Sequence, residues 1–185
     1  MTTTLKPTMY GVGINDVPGS WGKPYYRRWE AMFNRCYSKK TKSTYVGCSV
    51  DPKWHHLSDF KRWYEEQGDV TGKEMDKDII SPGNKVYSPD KCIFVSPALN
   101  NFFTKSDKSR GKYLIGVSWE EKRKKFRATG NRGFNGYHDT ELEAHLAWMK
   151  SKKEVLLETF ILPETNERLK NALYYVYNNM EEYFK

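Results

Sequence analysis

The chain of 185 residues is poor in cysteine. Its three cysteines, Cys36, Cys48 and Cys92, lie far apart and form no Cys-x-x-Cys pair. An odd number of scattered cysteines is typical of reduced thiols in a cytosolic protein. We expect buried structural cysteines. A structural zinc site that joins them to His55 or His56 is the less favoured alternative, because the spacing is not that of a zinc motif.

Long apolar runs are also missing. Residues 1–13 contain neither a cationic start nor an apolar stretch, which argues against a signal peptide. No segment approaches the roughly 20 apolar residues that a membrane helix needs. These absences predict a cytoplasmic protein that has no membrane partner.

Acidic residues are outnumbered. There are 31 Lys and Arg against 23 Asp and Glu, which gives a net charge of +8 and an isoelectric point of about 9.2. A basic balance favours an anionic partner, although a merely basic protein is the alternative. The excess is concentrated between residues 105 and 132, and this favours a nucleic-acid partner. The ten basic residues of that segment are Lys105, Lys108, Arg110, Lys112, Lys122, Arg123, Lys124, Lys125, Arg127 and Arg132.

The patterning predicts an α+β protein in two parts. Residues 1–23, with several Thr, Pro and Gly, are predicted to form a loose N-terminal arm. A first unit follows at residues 24–103. It opens with a helix from Pro24, then a short strand at residues 45–50 and a helix capped by Ser58. The aromatic residues of both helices are predicted to form the core.

Residues 75–103 predict a strand, a loop, a second strand and a helix. The strands are placed at residues 75–80 and 92–95, and the helix begins at Pro97. Phosphodiester hydrolysis needs a metal ion that binds the phosphate and a base that activates water. An acid at a strand end and an amide on the next helix, Asp76 and Asn100, can bind one metal ion. Asp78 would point to the same face as Asp76 in a regular strand. The alternative is a solvated acidic turn.

This segment resembles the HNH (ββα-metal) endonucleases, in particular phage members related to homing endonucleases. Asp76-Lys77 matches the Asp-His of that family, and Lys91-Cys92-Ile93-Phe94-Val95 matches its Asn-Leu-x-Trp-Val. Asn100 matches the closing Asn at the same spacing. The flanking segments 78–89 and 26–37 also resemble those of phage proteins of HNH type.

The resemblance implies a Mg²⁺ (or Mn²⁺) site held by Asp76 and Asn100, with Asp78 assisting. Lys77 stands where the family has its general base, and Lys91 stands where it has the residue that orients that base. Lysine is normally protonated at neutral pH. Lys77 could therefore be a desolvated base, a cation for the transition state, or part of a site that has lost its chemistry.

Residues 104–112 predict a linker, because they contain no apolar residue. Residues 113–160 then predict a second unit, a three-stranded antiparallel sheet packed on one helix that begins with a capping box at Thr140. A C-terminal helix is expected within residues 161–185. In the second strand Lys125 and Arg127 share one face, and Phe126 and Ala128 share the other.

Four parts of this unit, taken in order, are similar to one known module. They are Gly116-Val117, Trp119, 125–128 and 138–144. The module that they resemble is the Apetala/ethylene-response DNA-binding fold, which is also found fused to phage HNH nucleases. The resemblance implies that the sheet binds double-stranded DNA. Ile115 and Ser118 depart from it, because arginines are usual there. The residues expected to contact DNA are Arg110, Lys112, Lys122, Arg123, Lys125, Arg127 and Arg132.

Three functions are open at this point. The first is a phage-type, metal-dependent DNA endonuclease of homing type that acts as a monomer or a homodimer in the bacterial host. The second is a catalytically degenerate relative that binds DNA as a repressor or interference factor, which Lys77 and Lys91 favour. The third is a phage factor whose basic face binds an acidic protein.

Overall fold

The structure, a computed structural model, describes residues 6–104 and 111–184. The chain has an α+β fold, as predicted, and divides into two compact units with the boundary between Asn100 and Asn101. Within the described residues, no helix combines the length and the apolar character that a membrane crossing requires.

The first unit combines helices with short paired strands. β1 (Ser49–Val50) pairs with β3 (Val86–Tyr87) in parallel, and β2 (Glu74–Asp76) pairs with β4 (Ile93–Val95) in antiparallel. The order of β2, β4 and the helix α3 (Pro97–Phe102) follows the strand–loop–strand–helix pattern predicted for residues 75–103. The elements are α1 (Pro24–Tyr37), β1 (Ser49–Val50), α2 (Leu57–Glu66), β2 (Glu74–Asp76), β3 (Val86–Tyr87), β4 (Ile93–Val95) and α3 (Pro97–Phe102).

Aromatic side chains fill the core of the first unit. Trp29 and Phe33 of α1 are fully buried, and their ring centroids lie 4.7 Å apart. Trp54 packs against Phe60 and Trp63 of α2. The indole nitrogen of Trp29 donates a hydrogen bond of 2.8 Å to the carbonyl of Trp54. The prediction that these aromatic residues form the core is confirmed.

Three local predictions for the first unit are wrong. Ser58 does not cap the second helix, because α2 begins at Leu57 with His56 at its N-cap position. The strand expected at residues 45–50 is reduced to Ser49–Val50, because Gly47 adopts a left-handed turn with φ of 78°. The N-terminal arm is not loose where the structure describes it. The Asp16 carboxylate accepts bonds from the backbone N–H and the hydroxyl of Ser58, and so caps α2 from a distant part of the chain.

The second unit is a three-stranded antiparallel sheet packed on a helix, as predicted. The capping box at Thr140 is also confirmed, with Glu143 as its partner. The single C-terminal helix expected at residues 164–184 is interrupted at Asn179. The elements are β5 (Val117–Glu120), β6 (Lys125–Gly130), β7 (Gly133–His138), α4 (Glu141–Val155), a wide helical turn at Leu156–Ile161, α5 (Glu167–Asn178) and α6 (Met180–Tyr183).

Lys152 is an unusual member of the second core, because only 5% of it is exposed. Its ammonium group donates to the carbonyl of Phe102 at 2.7 Å. The same group lies 4.1 Å from the Phe102 ring centroid and 4.6 Å from that of Phe184. Burial lowers the pKa of Lys152 to about 8, whereas the carbonyl and the ring faces supply compensating negative charge.

The sheet and α4 meet where Gly116 precedes β5. Gly116 has a φ of 80°, and a Cβ atom there would lie 2.1 Å from Cγ of the Trp148 indole. Trp148 and Ala144 of α4 and Ala128 of β6 are all buried. The missing side chain of Gly116 therefore sets how closely α4 approaches the sheet.

Replacing Gly116 by alanine is predicted to destabilise the protein by more than about 2 kcal/mol, through the strained φ and the collision with Trp148. Denaturant unfolding followed by circular dichroism measures the change. Gly111→Ala is the matched control, because no atom lies within 4 Å of its added Cβ. Equal stability of the two variants would contradict this account of the packing.

Candidate functional site

Lys77 follows β2 directly and is only 5% exposed. Its ammonium group donates to both carboxylate oxygens of Asp78, at 2.6 and 2.7 Å, and to the backbone carbonyl of Asn84 at 2.9 Å. The Tyr87 ring centroid lies 5.8 Å away. An ammonium group has three N–H donors, and these three acceptors use all of them.

Asn84 fixes the loop that carries this contact. Its amide nitrogen donates to the carbonyls of Lys77 and Val86, at 3.0 and 2.7 Å, and its amide oxygen accepts from the N–H of Val86 at 3.1 Å. Lys77 and Asn84 thus bond to each other twice, side chain to backbone in both directions. Two hydrogen bonds therefore join the ends of the segment 77–84. They run from the Lys77 ammonium to the Asn84 carbonyl and from the Asn84 amide to the Lys77 carbonyl.

Asp76 ends β2, and the prediction that Asp78 continues the strand is wrong. The backbone N–H groups of Asp78 and Ile79 both turn back to Oδ1 of Asp76, each at 2.7 Å. Because the chain bends here, strand alternation does not place Asp78 beside Asp76. Burial raises the pKa of Asp76, and the two N–H bonds oppose that shift.

Asn100 lies on α3, where its amide nitrogen donates to the carboxylate of Glu74. Glu74 stands two residues before Asp76 in β2, so both carboxylates occupy the same face of that strand. Glu74 was missed by the sequence reasoning, although the i, i+2 spacing could have indicated it. The structure thus brings Asn100 to Glu74 and brings Asp78 to Lys77.

A second cation, Arg35 of α1, was also missed. Its guanidinium carbon lies 5.6 Å from the Tyr45 ring centroid, and its charge interacts with Tyr87 and Glu74. Tyr87, which is 2% exposed, therefore has Arg35 on one side and the Lys77 ammonium on another. Burial raises the pKa of Tyr87, and the charge of Arg35 opposes the shift.

Asp78 is the member of the predicted donor set that does not fit a divalent metal as it stands. A metal ion bound to Asp78 would lie beside the Lys77 ammonium, which already holds both oxygens of that carboxylate. Asn100 would bind a metal ion through its amide oxygen, and its amide nitrogen donates to Glu74. Oxygen ligands for Mg²⁺ would come from Asp76 and from this amide oxygen.

His55 and His56, the histidines of the alternative zinc site, form hydrogen bonds with different parts of the chain. His55 lies 3.1 Å from the carbonyl of Val50, and His56 lies 3.2 Å from Asp16. In the described part of the chain, no group of three His, Cys, Asp or Glu side chains is placed to hold a metal. Burial raises the pKa of the Cys36 thiol to about 12, which makes it a weak nucleophile.

The second candidate site is the sheet face opposite α4. Ser118, Arg127 and Tyr137 face one another across β5, β6 and β7 in register, and all three are exposed. Arg123, in the turn between β5 and β6, lies over the Tyr137 ring at 4.8 Å from its centroid. Between residues 111 and 132 seven Lys or Arg stand against two Glu.

Some residues that were predicted to contact DNA form ion pairs within the protein, and others are exposed at its surface. Lys125 pairs with Asp139, and Arg132 pairs with Glu154 and Glu158. Lys112, Lys122, Arg123 and Arg127 are exposed at the surface, and Lys112 lies 5.1 Å from the Tyr113 ring centroid. Arg110 lies outside the described residues. Lys91, the other unexpected lysine, is half-buried in the turn before β4.

Comparison of the chain with protein-family models, with curated proteins and with solved structures finds no match in any of the three.

Replacing Lys77 by methionine keeps most of its volume and removes its charge. We predict a loss of about 2 kcal/mol in the free energy of unfolding, because Asn84 and the half-exposed Asp78 both lose a donor. Denaturant unfolding followed by tryptophan fluorescence measures it. Lys73→Met, at an exposed position one residue before β2, is the control. An unchanged Lys77→Met protein would show that the ammonium is not structural.

Proposed function

We propose that the protein binds double-stranded DNA through the open face of β5–β7, and that its ββα unit is a scaffold that does not hydrolyse DNA. The proposal that the ββα unit is a scaffold rests on the environment of the Lys77 ammonium, which is buried and bonded to three acceptors. The biological role that fits such a protein is that of a repressor or an interference factor.

A general base needs a free lone pair within reach of the water that it activates. The three donors of the Lys77 ammonium are all directed at the Asp78 carboxylate and the Asn84 carbonyl. The Lys77 side chain is also closed off from solvent, with 6% exposure. Hydrolysis through Lys77 would first require breaking the bonds to Asp78 and Asn84.

The binding half of the proposal is supported by charge and shape. A small twisted sheet can enter the major groove and place basic side chains against phosphates and base edges. Arg127 lies on the exposed side of the sheet, and Lys122 and Arg123 lie in the turn between β5 and β6. The inner side of the same sheet is occupied by α4, so the open face is the one free to meet a ligand.

A phage-type endonuclease is the competing function. It is favoured by the position of Glu74 and Asp76 on one face of β2, with Asn100 against Glu74. In that reading Asp76 and the amide oxygen of Asn100 supply metal ligands, and the bonds of Asp78 rearrange when Mg²⁺ or Mn²⁺ binds.

The test measures binding and cleavage of the same DNA. We predict that wild-type protein binds duplex DNA at low salt and leaves supercoiled plasmid intact in Mg²⁺, in Mn²⁺ and in EDTA. The double variant Arg123→Gln, Arg127→Gln should bind about tenfold or more weakly, with a salt dependence reduced by roughly two phosphate contacts. Lys39→Gln with Lys40→Gln is the control, because it removes the same charge from exposed positions in the first unit.

Two outcomes would overturn the proposal. Cleavage that needs metal and is lost in Asp76→Ala would establish the endonuclease instead. Absence of DNA binding at low salt would reject both functions and favour a protein partner for the basic face. Plasmids that carry DNA from candidate phage genomes serve as substrates alongside the standard plasmid, because homing-type enzymes can require a single site.

A further inference from the structure

The open face of the sheet carries two exposed aromatic rings. Phe134 and Tyr137 of β7 are 52% and 37% exposed, and their ring centroids lie 4.8 Å apart. The guanidinium carbons of Arg123 and Arg127 lie 4.8 Å from the Tyr137 ring centroid and 5.7 Å from that of Phe134. We call these four side chains the aromatic platform.

An irregularity in β7 builds the platform. Residues three apart in a regular strand point to opposite faces. Here Arg127 is paired with Tyr137 and Thr129 with Phe134, so β7 has one residue more than β6 between the two pairs. Gly136 supplies the extra residue's left-handed conformation, with φ of 112°. The bulge therefore turns both rings to the side away from α4.

The bases of a closed duplex cannot stack on these rings. In a DNA double helix the flat faces of the bases are stacked on one another, and only base edges are available in the grooves. A ring face is covered by a base only when that base leaves the stack. The two guanidinium groups lie over the rings. A base that stacks on a ring would displace them toward the phosphate of the same nucleotide.

We propose that the aromatic platform binds unpaired bases, so that the protein prefers DNA with an opened or single-stranded segment over closed duplex of the same length. This inference rests on the proposed function, because it places the unpaired base on the same DNA-binding face. The stacking chemistry is common to single-stranded DNA and RNA, which the test separates.

The test compares four fluorescent probes of equal length by fluorescence anisotropy, and the labelled strand has the same base sequence in all of them. The probes are closed duplex, duplex with an unpaired internal loop, single-stranded DNA and single-stranded RNA. We expect wild-type protein to bind the looped duplex about tenfold more tightly than the closed one. Tyr137→Leu and Phe134→Leu should each lose most of that preference, because affinity for the looped duplex falls by a larger factor than affinity for the closed duplex.

Two control variants test whether the preference for the looped duplex depends on the aromatic rings. Tyr137→Phe keeps an aromatic ring and should keep the preference, which also guards against a fold defect in the leucine variant. Tyr175→Leu removes an aromatic side chain that is 57% exposed on α5, and it should change nothing.

Equal affinity for closed and looped duplex, or an unchanged preference in the leucine variants, would overturn the inference and leave the proposed function in place. Failure to bind any of the DNA probes would remove both. Tighter binding of RNA than of single-stranded DNA would identify RNA as the preferred source of unpaired bases and would count for the platform but against a DNA-only ligand.

Discussion

The bonds of the Lys77 ammonium organise the site region of the first unit. They join the end of β2 to the loop that leads into β3, and the Asn84 amide completes the same closure from the opposite direction. A charge this deeply buried is tolerated only when every donor has a partner, and each donor here has one. Lys77, which the sequence resemblance assigned to the position of a base, is for this reason a buried structural ion in this structure, and the neighbouring carboxylate of Asp78 is bound to it.

The two units differ in the side chains that they expose. The first has an aromatic core and a polar network that binds the Lys77 ammonium and the Asp78 carboxylate. The second has a sheet with one face covered by α4 and the other face open, with arginines and rings exposed on it. Electrostatic attraction to phosphate needs exposed cations, and stacking needs exposed ring faces. Both are found on the open face, at Arg123, Arg127, Phe134 and Tyr137.

The sequence predicted what depends on local pattern. The helix at Pro24, the capping box at Thr140 and the order of strands and helix after β2 all follow from periodicity and end signals. The prediction failed where distant contacts or single backbone turns decide, as at Gly47, which ends a predicted strand. It could not place the Lys77 ammonium, because the bond to Asn84 exists only once the loop has closed. Nor could it place Phe134 beside Tyr137, because the bulge that aligns them leaves no clear pattern in the sequence.

The most direct test of this account is to record backbone amide NMR spectra of the full chain while duplex DNA is added in the presence of Mg²⁺. We predict shifts concentrated in β5, β6, β7 and the turns between them, with amides of residues 74–100 unchanged. Shifts that cluster instead around Asp76, Lys77 and Asn100 would show that DNA enters the ββα site, and would contradict the assignment of Lys77 as a structural ion in a scaffold.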